Sequence, residues 1–447
     1  MENRSRVLIA PVNSMRLFLF LLAIPFLVSA EEIEVHLATR SSLVPIYLSE
    51  FQTEDPDWRG ADEMRRVLEE DLNRSGSATV VAKEYELEEA LRFPAPRNHF
   101  DVALWKRKSI PFCIAAQVVK GQLEIEAFNI EKESSKKYPL IPLNRGAIHK
   151  LADAIQKDFF GKEGISSLHL LYTVREKNPS SKGLDWLSEI WVCDSDGANA
   201  VQVTRENSYC LSPYFLPHSN QAFFYTSEKS GQSKIYRATL AKPKGELMVD
   251  LRGNQALAAM SLDGMHMAFI TDVAGRPDLF IQTFDSMGKM VGKARQLFSA
   301  PRATQASPTF SPDGKKVAFV SDKDGPPRIY LLDVLDPKST KRVRPQLLTK
   351  KNRENTSPSW SSDGTKLAYS AKVDGVRQIW IYDFITGEER PLTQGPENKE
   401  NPSWAPNSFH LVYNTEGDAH CNLYLIHLNG ADPIQIAKGR FASWQQK

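Results

Sequence analysis

The sequence predicts an α/β N-terminal domain followed by an all-β six-bladed β-propeller that the C-terminal strand closes. Three observations carry the prediction. After about residue 166 an anchor of the form Ser-Pro-x-aromatic-Ser-x-Asp-Gly recurs at a long, nearly constant period. Before that point helical and strand patterns alternate without any repeat. A last, truncated anchor stands near the C-terminus with no unit behind it.

In chain order, Leu17 to Val28 is uncharged and apolar, follows Arg4, Arg6 and Arg16, and ends at Val28-Ser29-Ala30. A basic region, a short apolar run and small residues describe an export signal over 1–30. The run is too short to cross a hydrocarbon core of about 30 Å as a helix, and no Cys follows it for lipid attachment. Met15 offers a second start. The mature chain is expected from about Glu31, exported and soluble.

Residues 31–165 read as one α/β domain. Met64, Val67, Leu68 and Leu72 mark one face of a helix over Asp62 to Arg74, which Gly76 stops. Ala78 to Ala82 is a short β-branched run, and Glu84 to Arg92 a second helix. Asp101 to Trp105 and Ile114 to Val119 read as strands, and Gly121 turns the chain into an alternating strand over Leu123 to Ile130. Ile148, Leu151, Ala152, Ile155 and Phe159 share one face of a helix over Ala147 to Phe160, and 161–164 reads as a linker.

Residues 166–447 are the propeller. The clearest anchors are Ser307 to Gly314 (SPTFSPDG) and Ser357 to Gly364 (SPSWSSDG); weaker copies centre on Phe215, Met260 and Trp404, and a truncated one on Trp444. The spacings from Phe215 onward are 45, 50, 50, 44 and 40 residues, a period of propeller blades. Each anchor leads through a tight turn, in which Pro sets φ, Asp bonds its own turn and Gly supplies positive φ, into an apolar strand such as Val317 to Val320. Second strands carrying an aromatic follow, as Ile329-Tyr330, and short outer strands complete four per unit. The strand Leu168 to Val174 has no anchor before it, and the Trp444 anchor has no unit after it. Ring closure joins the two, with Phe441 to Gln446 as the inner strand of the first blade.

The formal charge is +2, from 56 Lys+Arg and 54 Asp+Glu. Arg4, Arg6 and Arg16 against Glu2 account for all of it, so the rest of the chain is balanced. That argues against nucleic acid as a partner. Cys113, Cys193, Cys210 and Cys421 form no C-x-x-C. They read as isolated, mostly buried thiols, with a Cys193–Cys210 bridge as the alternative. No G-x-S-x-G, H-E-x-x-H, phosphate loop or dinucleotide fingerprint occurs. His218, His266 and His410 fall at hairpin turns and read as surface residues. The basic runs 341–344 and 350–353 read as a solvated outer edge. No cofactor, metal or catalytic residue is expected.

The chain resembles the TolB family, the periplasmic components of the Tol-Pal system of Gram-negative bacteria. The likeness rests on SPTFSPDGKKVAFVSDKDG and SPSWSSDGTKLAYSAKVDG in the propeller, and on DLNRSG (Asp71 to Gly76) and FFGKEGISSL (Phe159 to Leu168) before it. It implies a monomeric, non-catalytic adaptor, peripheral to membranes through its partners. One propeller face would bind the peptidoglycan-associated lipoprotein Pal, and the mature N-terminus would reach TolA and other Tol proteins. Carried over by position, the Pal-like site is Asn254, Gln255, Gln305, Glu354, Asn355, Thr356, Glu400 and Asn401, the polar residues that precede the buried strands on one rim. The TolA-like site is Glu31, Glu32, Ile33, Glu34 and Val35; here the sequence departs from the family, with Thr39-Arg40-Ser41-Ser42 where Ser-Gly or Asp-Ser-Gly is usual. A propeller for an envelope glycan or another exported protein is the alternative, and a hydrolase or lyase the third reading.

Overall fold

The computed structural model describes residues 43–53, 60–91, 101–178, 185–335, 343–417, 421–430 and 432–446. The export signal, the segment Glu31 to Val35 and the basic pair Lys341-Arg342 lie outside them.

The first domain runs β1 (Val44–Thr53), α1 (Gly60–Arg74), β2 (Ala78–Val80), α2 (Tyr85–Ala90), α3 (Val102–Arg107), β3 (Phe112–Val119), β4 (Gln122–Asn129), β5 (Ser134–Lys137), β6 (Ile141–Pro142) and α4 (Arg145–Phe160). The sheet order is β2-β1-β3-β4-β5, with β6 on β4. β1 is parallel to both β2 and β3, and the remaining pairs are antiparallel. Strand periodicity splits the core in two. Ile46, Leu48, Ile114 and Ala116 pack against Leu68, Leu72, Leu151 and Ile155 of α1 and α4. Tyr47, Cys113 and Ala115 face the opposite way, against Leu87, Leu104 and Trp105 of α2 and α3.

Two sequence readings change. Strand β1, between β2 and β3 in the sheet, was not anticipated. Its alternation is interrupted by a register shift between Leu48 and Phe51, which hides a period of two. Asp101 to Trp105, expected as a strand, opens α3, because the Asp101 carboxylate accepts from Leu104 N at 3.0 Å and caps a helix. A short apolar run such as Val-Ala-Leu-Trp fits either element by pattern alone. Helix α4 is held at both ends, by Asn144 accepting from Ala147 N and by Gly161 in the left-handed region. The stretch read as a linker is pinned where it ends: Asp153 of α4 accepts from Ser166 N at 2.8 Å and Ser167 N at 3.1 Å.

The propeller has six four-stranded antiparallel blades. The chain first lays down β7 (His169–Lys177), β8 (Trp186–Asp194) and β9 (Val201–Gln202). Blade 2 is β10 (Cys210–Phe215), β11 (Ala222–Ser227), β12 (Lys234–Thr239) and β13 (Glu246–Leu247). Blade 3 is β14 (Gln255–Met260), β15 (His266–Thr271), β16 (Asp278–Phe284) and β17 (Met290–Phe298). Blade 4 is β18 (Gln305–Phe310), β19 (Lys316–Ser321), β20 (Arg328–Asp333) and β21 (Gln346–Leu347). Blade 5 is β22 (Glu354–Trp360), β23 (Lys366–Val373), β24 (Val376–Asp383) and β25 (Glu389–Pro391). Blade 6 is β26 (Asn398–Trp404), β27 (His410–Glu416), β28 (Asn422–His427) and β29 (Ile434–Lys438). Last, β30 (Arg440–Trp444) pairs with β7 and becomes the innermost strand of blade 1. The ring closes as the sequence predicts.

The anchors work as their chemistry requires. In the turns after Ser261, Ser311 and Ser361 the serine hydroxyl donates to the Asp carboxylate two residues on, at 2.5–2.6 Å, and accepts the amide five residues on at 2.9 Å. Each Asp carboxylate also takes an amide of its own turn. The hydroxyl and the amide together hold Asp263, Asp313 and Asp363 below the usual carboxylate range; at Asp263 and Asp363 the opposing effect of burial is the larger single influence but is outweighed. Two anchor indoles stitch neighbouring blades: Trp404 Nε1 donates to Ser359 O, and Trp444 Nε1 to Ser403 O.

Each of the six inner strands carries one extra residue against its neighbour, with positive φ at Ser212, Leu257, Ser307, Ser357, Asn401 and Phe441. The bulge bends the strand around the axis. These six positions ring a central cavity of ≈ 160 Å³.

Candidate functional site

Antiparallel pairing gives the ring two unlike rims. One holds the starts of the inner strands and the turns between second and third strands. The other holds the Asp-Gly turns and the ends of the third strands, and the first domain packs there. Asn407 donates to Glu163 O at 3.1 Å, and the His410 ring donates through Nε2 to Arg74 O at 2.9 Å while Nδ1 accepts from Asn407. Gly76 sits against His427, where a Cβ would come within 2.3 Å of the ring. The first rim, which carries the expected partner residues, stays clear of these contacts.

His410 is therefore not a surface turn residue: it is 2% exposed. Burial, with His427 beside it, pushes its pKa down to about 3; burial also pushes His427 down to about 4. Both rings are neutral when folded and would take up protons on unfolding below about pH 6.5. A depressed histidine stabilises above its unfolded pKa, so this contribution is lost as pH falls from about 6.5 towards 4. The expected result is a melting temperature that declines over that interval, with a shallower decline in His427→Phe; equal slopes in thermal melts of the two proteins would refute it. His218 is exposed and His266 half-buried.

A buried charge network joins the two domains. His149 Nδ1 is 2.6 Å from Asp71 Oδ2, and its Nε2 lies 3.9 Å from both Asp194 and Asp196 of blade 1. Asp196, its side chain 2% exposed, pairs with Arg145 and, at 3.5 Å, with Arg74. Burial, the largest influence, pushes Asp71 up. His149 is also raised: burial opposes this, and Asp71 and Asp196 outweigh it. Asp196 is lowered in spite of burial, by the Ala198 amide and by Arg145, His149 and Arg74. Asp71, His149 and Asp196 are close enough to share a cation. Two guanidinium groups already balance Asp196, so the cluster fits an ion-pair network rather than a metal centre.

The residues expected to meet a partner on the first rim separate into two kinds. Gln255, Gln305 and Asn355 are 0%, 1% and 0% exposed, so their side chains present nothing to a partner. They occupy one repeated slot, the place where an inner strand begins, and hold the loop that precedes it. Gln255 donates to Leu251 O, Gln305 to Ala303 O, and Asn355 to Asn352 O and Thr349 Oγ1. Lys399 fills the same slot and donates to Glu397 O. The polarity that suggested recognition instead satisfies buried carbonyls.

The other kind converges. Arg377, on β24, lies 3.0 Å from Glu400 and 3.8 Å from Glu354, and donates to Thr356 Oγ1 at 3.2 Å. Lys372 joins Glu354 at 3.6 Å. Asn401 accepts from Ser357 and donates to Asn414. Burial raises Glu400 against the pull of Arg377. Glu354, Thr356 and Glu400 thus form one half-buried polar cluster across blades 5 and 6, organised by Arg377, while Asn401 lines the central cavity. Asn254 is exposed on blade 3 and bonded to Asp272, apart from that cluster. Arg377 was missed because it follows the turn Asp374-Gly375, outside the anchors. Lys350, Lys351 and Arg353 of the basic run 350–353 are exposed, and Glu389 Oε1, on the outermost strand β25 of blade 5, takes the amides of Lys350 and Lys351.

All four cysteines are free, Cys113, Cys193 and Cys210 buried and Cys421 half-buried, so the Cys193–Cys210 bridge is absent. Burial pushes the Cys193 thiol up to about 12, which leaves it protonated and inert. Among the described residues no helix is long and apolar enough to cross a membrane.

Comparison with known proteins agrees with this architecture. A family model described as the TolB beta propeller domain matches residues 158–447. A TolB homolog of Protochlamydia amoebophila (strain UWE25) is 41% identical over 290 residues, 62% of this chain and 61% of its own length. A TolB homolog of Chlamydia trachomatis serovar D is 33% identical over 284 residues, 63% of this chain and 61% of its own. The match therefore spans about three fifths of the length of these curated relatives. The crystal structure of TolB from Acinetobacter baumannii superposes with a TM-score of 0.71 at 24% identity, covering 91% of this chain and 97% of that one, and shares the fold.

Proposed function

Since the chain belongs to the TolB beta propeller family, we propose that it is a periplasmic, non-catalytic scaffold of a Tol-Pal system. In this reading it links a peptidoglycan-associated outer-membrane lipoprotein to an inner-membrane Tol complex. The observation that carries the partner site is the Arg377-centred cluster of Glu354, Thr356 and Glu400, on the rim opposite the one where the first domain packs. Such a cluster suits a protein partner: it is pre-organised by its own ion pairs, so little side-chain freedom is lost on binding. Glu31 to Val35 would serve the inner-membrane contact.

The test is recovery of the tagged full chain from envelope. A Pal-like lipoprotein should co-purify with the wild type and be reduced at least about tenfold, the equivalent of about 1.4 kcal/mol, in a Glu354→Ala, Thr356→Ala, Glu400→Ala variant. Recovery of the variant with undiminished lipoprotein would refute the site. Recovery of saccharide without lipoprotein would refute the partner.

A further inference from the structure

Blade 1 differs from the other five at the first rim. In blades 2, 3, 4 and 6 the inner strand pairs with the last residue of the second strand: Ser227, Thr271, Ser321 and Glu416. In blade 5 the pairing stops one residue short, at Lys372. In blade 1 the pairing of β30 with β7 begins at Thr173, yet β7 continues to Lys177, paired to β8 throughout. Beyond Gly439 the chain turns to blade 6, with Gly439 N donating to Cys421 O and β29 pairing with β28. The inner edge of Val174 to Lys177 therefore has no strand partner among the described residues.

That edge opens on a cleft of ≈ 530 Å³ between blades 1 and 6. Its lining includes Arg175, Lys177, Lys438 and Arg440, with Trp186. Arg175 and Lys177 project from one face of the β7–β8 hairpin, two residues apart, and Trp186 stands directly opposite Lys177 on that same face. The Arg175 guanidinium lies over the Trp186 ring at 4.3 Å. Glu176, the one carboxylate in the lining, points from the opposite face. Among the described residues only Arg440 of the four cations has a carboxylate within reach, Glu416 at 3.7 Å.

An unpaired strand edge offers backbone donors and acceptors to a further strand. Cations at alternate positions beside it select acidic side chains at alternate positions of that strand. We propose that the blade 1–blade 6 cleft binds an extended acidic peptide segment, which adds as a short strand to Val174–Lys177. The assignment stands apart from the Arg377 cluster, so either can fail alone.

The probe is a fluorescein-labelled Val-Glu-Val-Glu-Val-Glu peptide, titrated with the full chain and followed by anisotropy. Binding should weaken with salt. An added strand uses the amides of only one alternate set, so N-methylating one set should abolish binding while methylating the other leaves it intact. An Arg175→Glu, Lys438→Glu variant with unchanged melting should bind at least about tenfold more weakly, and Glu354→Ala should bind as the wild type does. No binding, equal binding of a Val-Lys peptide, or indifference to both N-methylation patterns would overturn the proposal. Displacement by a carboxylated saccharide together with that indifference would overturn it in favour of a glycan.

Discussion

Removing residues 440–447 is expected to unfold the propeller as a whole rather than to fray its end. β30 is the inner strand of blade 1, although it is the last element of the chain. Its loss leaves β7 with an open edge and removes Trp444, which is 0% exposed and donates to Ser403 O of blade 6. It also removes Gln445, whose amide donates to His169 O and whose side-chain oxygen accepts from His169 N. Deleting a buried tryptophan costs about 3–5 kcal/mol by itself, a large share of a stability of about 5–15 kcal/mol. Calorimetry of the truncated chain should show the propeller transition lowered by about 10 °C or more, or lost. A transition at the wild-type temperature would mean that the ring does not depend on this closure.

The second large effect is expected from Asp196→Ala. Asp196 is the more buried of the two propeller carboxylates in the interdomain network, and Arg145 of α4 and Arg74 of α1 both converge on it. Removing it leaves two guanidinium groups and the raised His149 with Asp71 and the more distant Asp194. Breaking a buried pair in this way costs about 3–5 kcal/mol, because the remaining charges lose compensation without gaining water. The loss falls on docking, so one melting transition should become two, the first domain and the propeller unfolding separately. Arg145→Ala should act in the same direction and less strongly, since Arg145 is partly exposed and Arg74 remains. A single transition, shifted by less than about 1 °C in Asp196→Ala, would show that the network does not hold the domains together.

What the sequence made legible was what its local chemistry repeats. The Asp-Gly turns, the apolar strands behind them and the closing role of Trp444 all followed from period and pattern. The elements missed were those whose identity depends on distant partners. β1 lies between two parallel neighbours, and its bulge spoils the alternation. α3 depends on one side-chain cap. The rim showed the same division. Gln255, Gln305 and Asn355 looked like recognition residues because they are polar and precede strands, but their carbonyl partners lie in loops that composition does not fold. Arg377 gave no local signal, and from β24 it gathers residues of two other strands, β22 and β26, in two blades. The overhang of β7 is a difference in pairing length, visible only when six blades are compared in register.

We propose that the rim opposite the first domain is the lipoprotein-binding face. The most direct measurement is calorimetric titration of the purified full chain with the peptidoglycan-associated lipoprotein's soluble domain from the same bacterium. Arg377→Glu tests the cluster, and Met287→Ser, 83% exposed on the opposite rim, is the control. The expected result is binding weakened at least about tenfold by Arg377→Glu and unchanged by Met287→Ser. Wild-type affinity in Arg377→Glu, or a loss confined to Met287→Ser, would contradict the account.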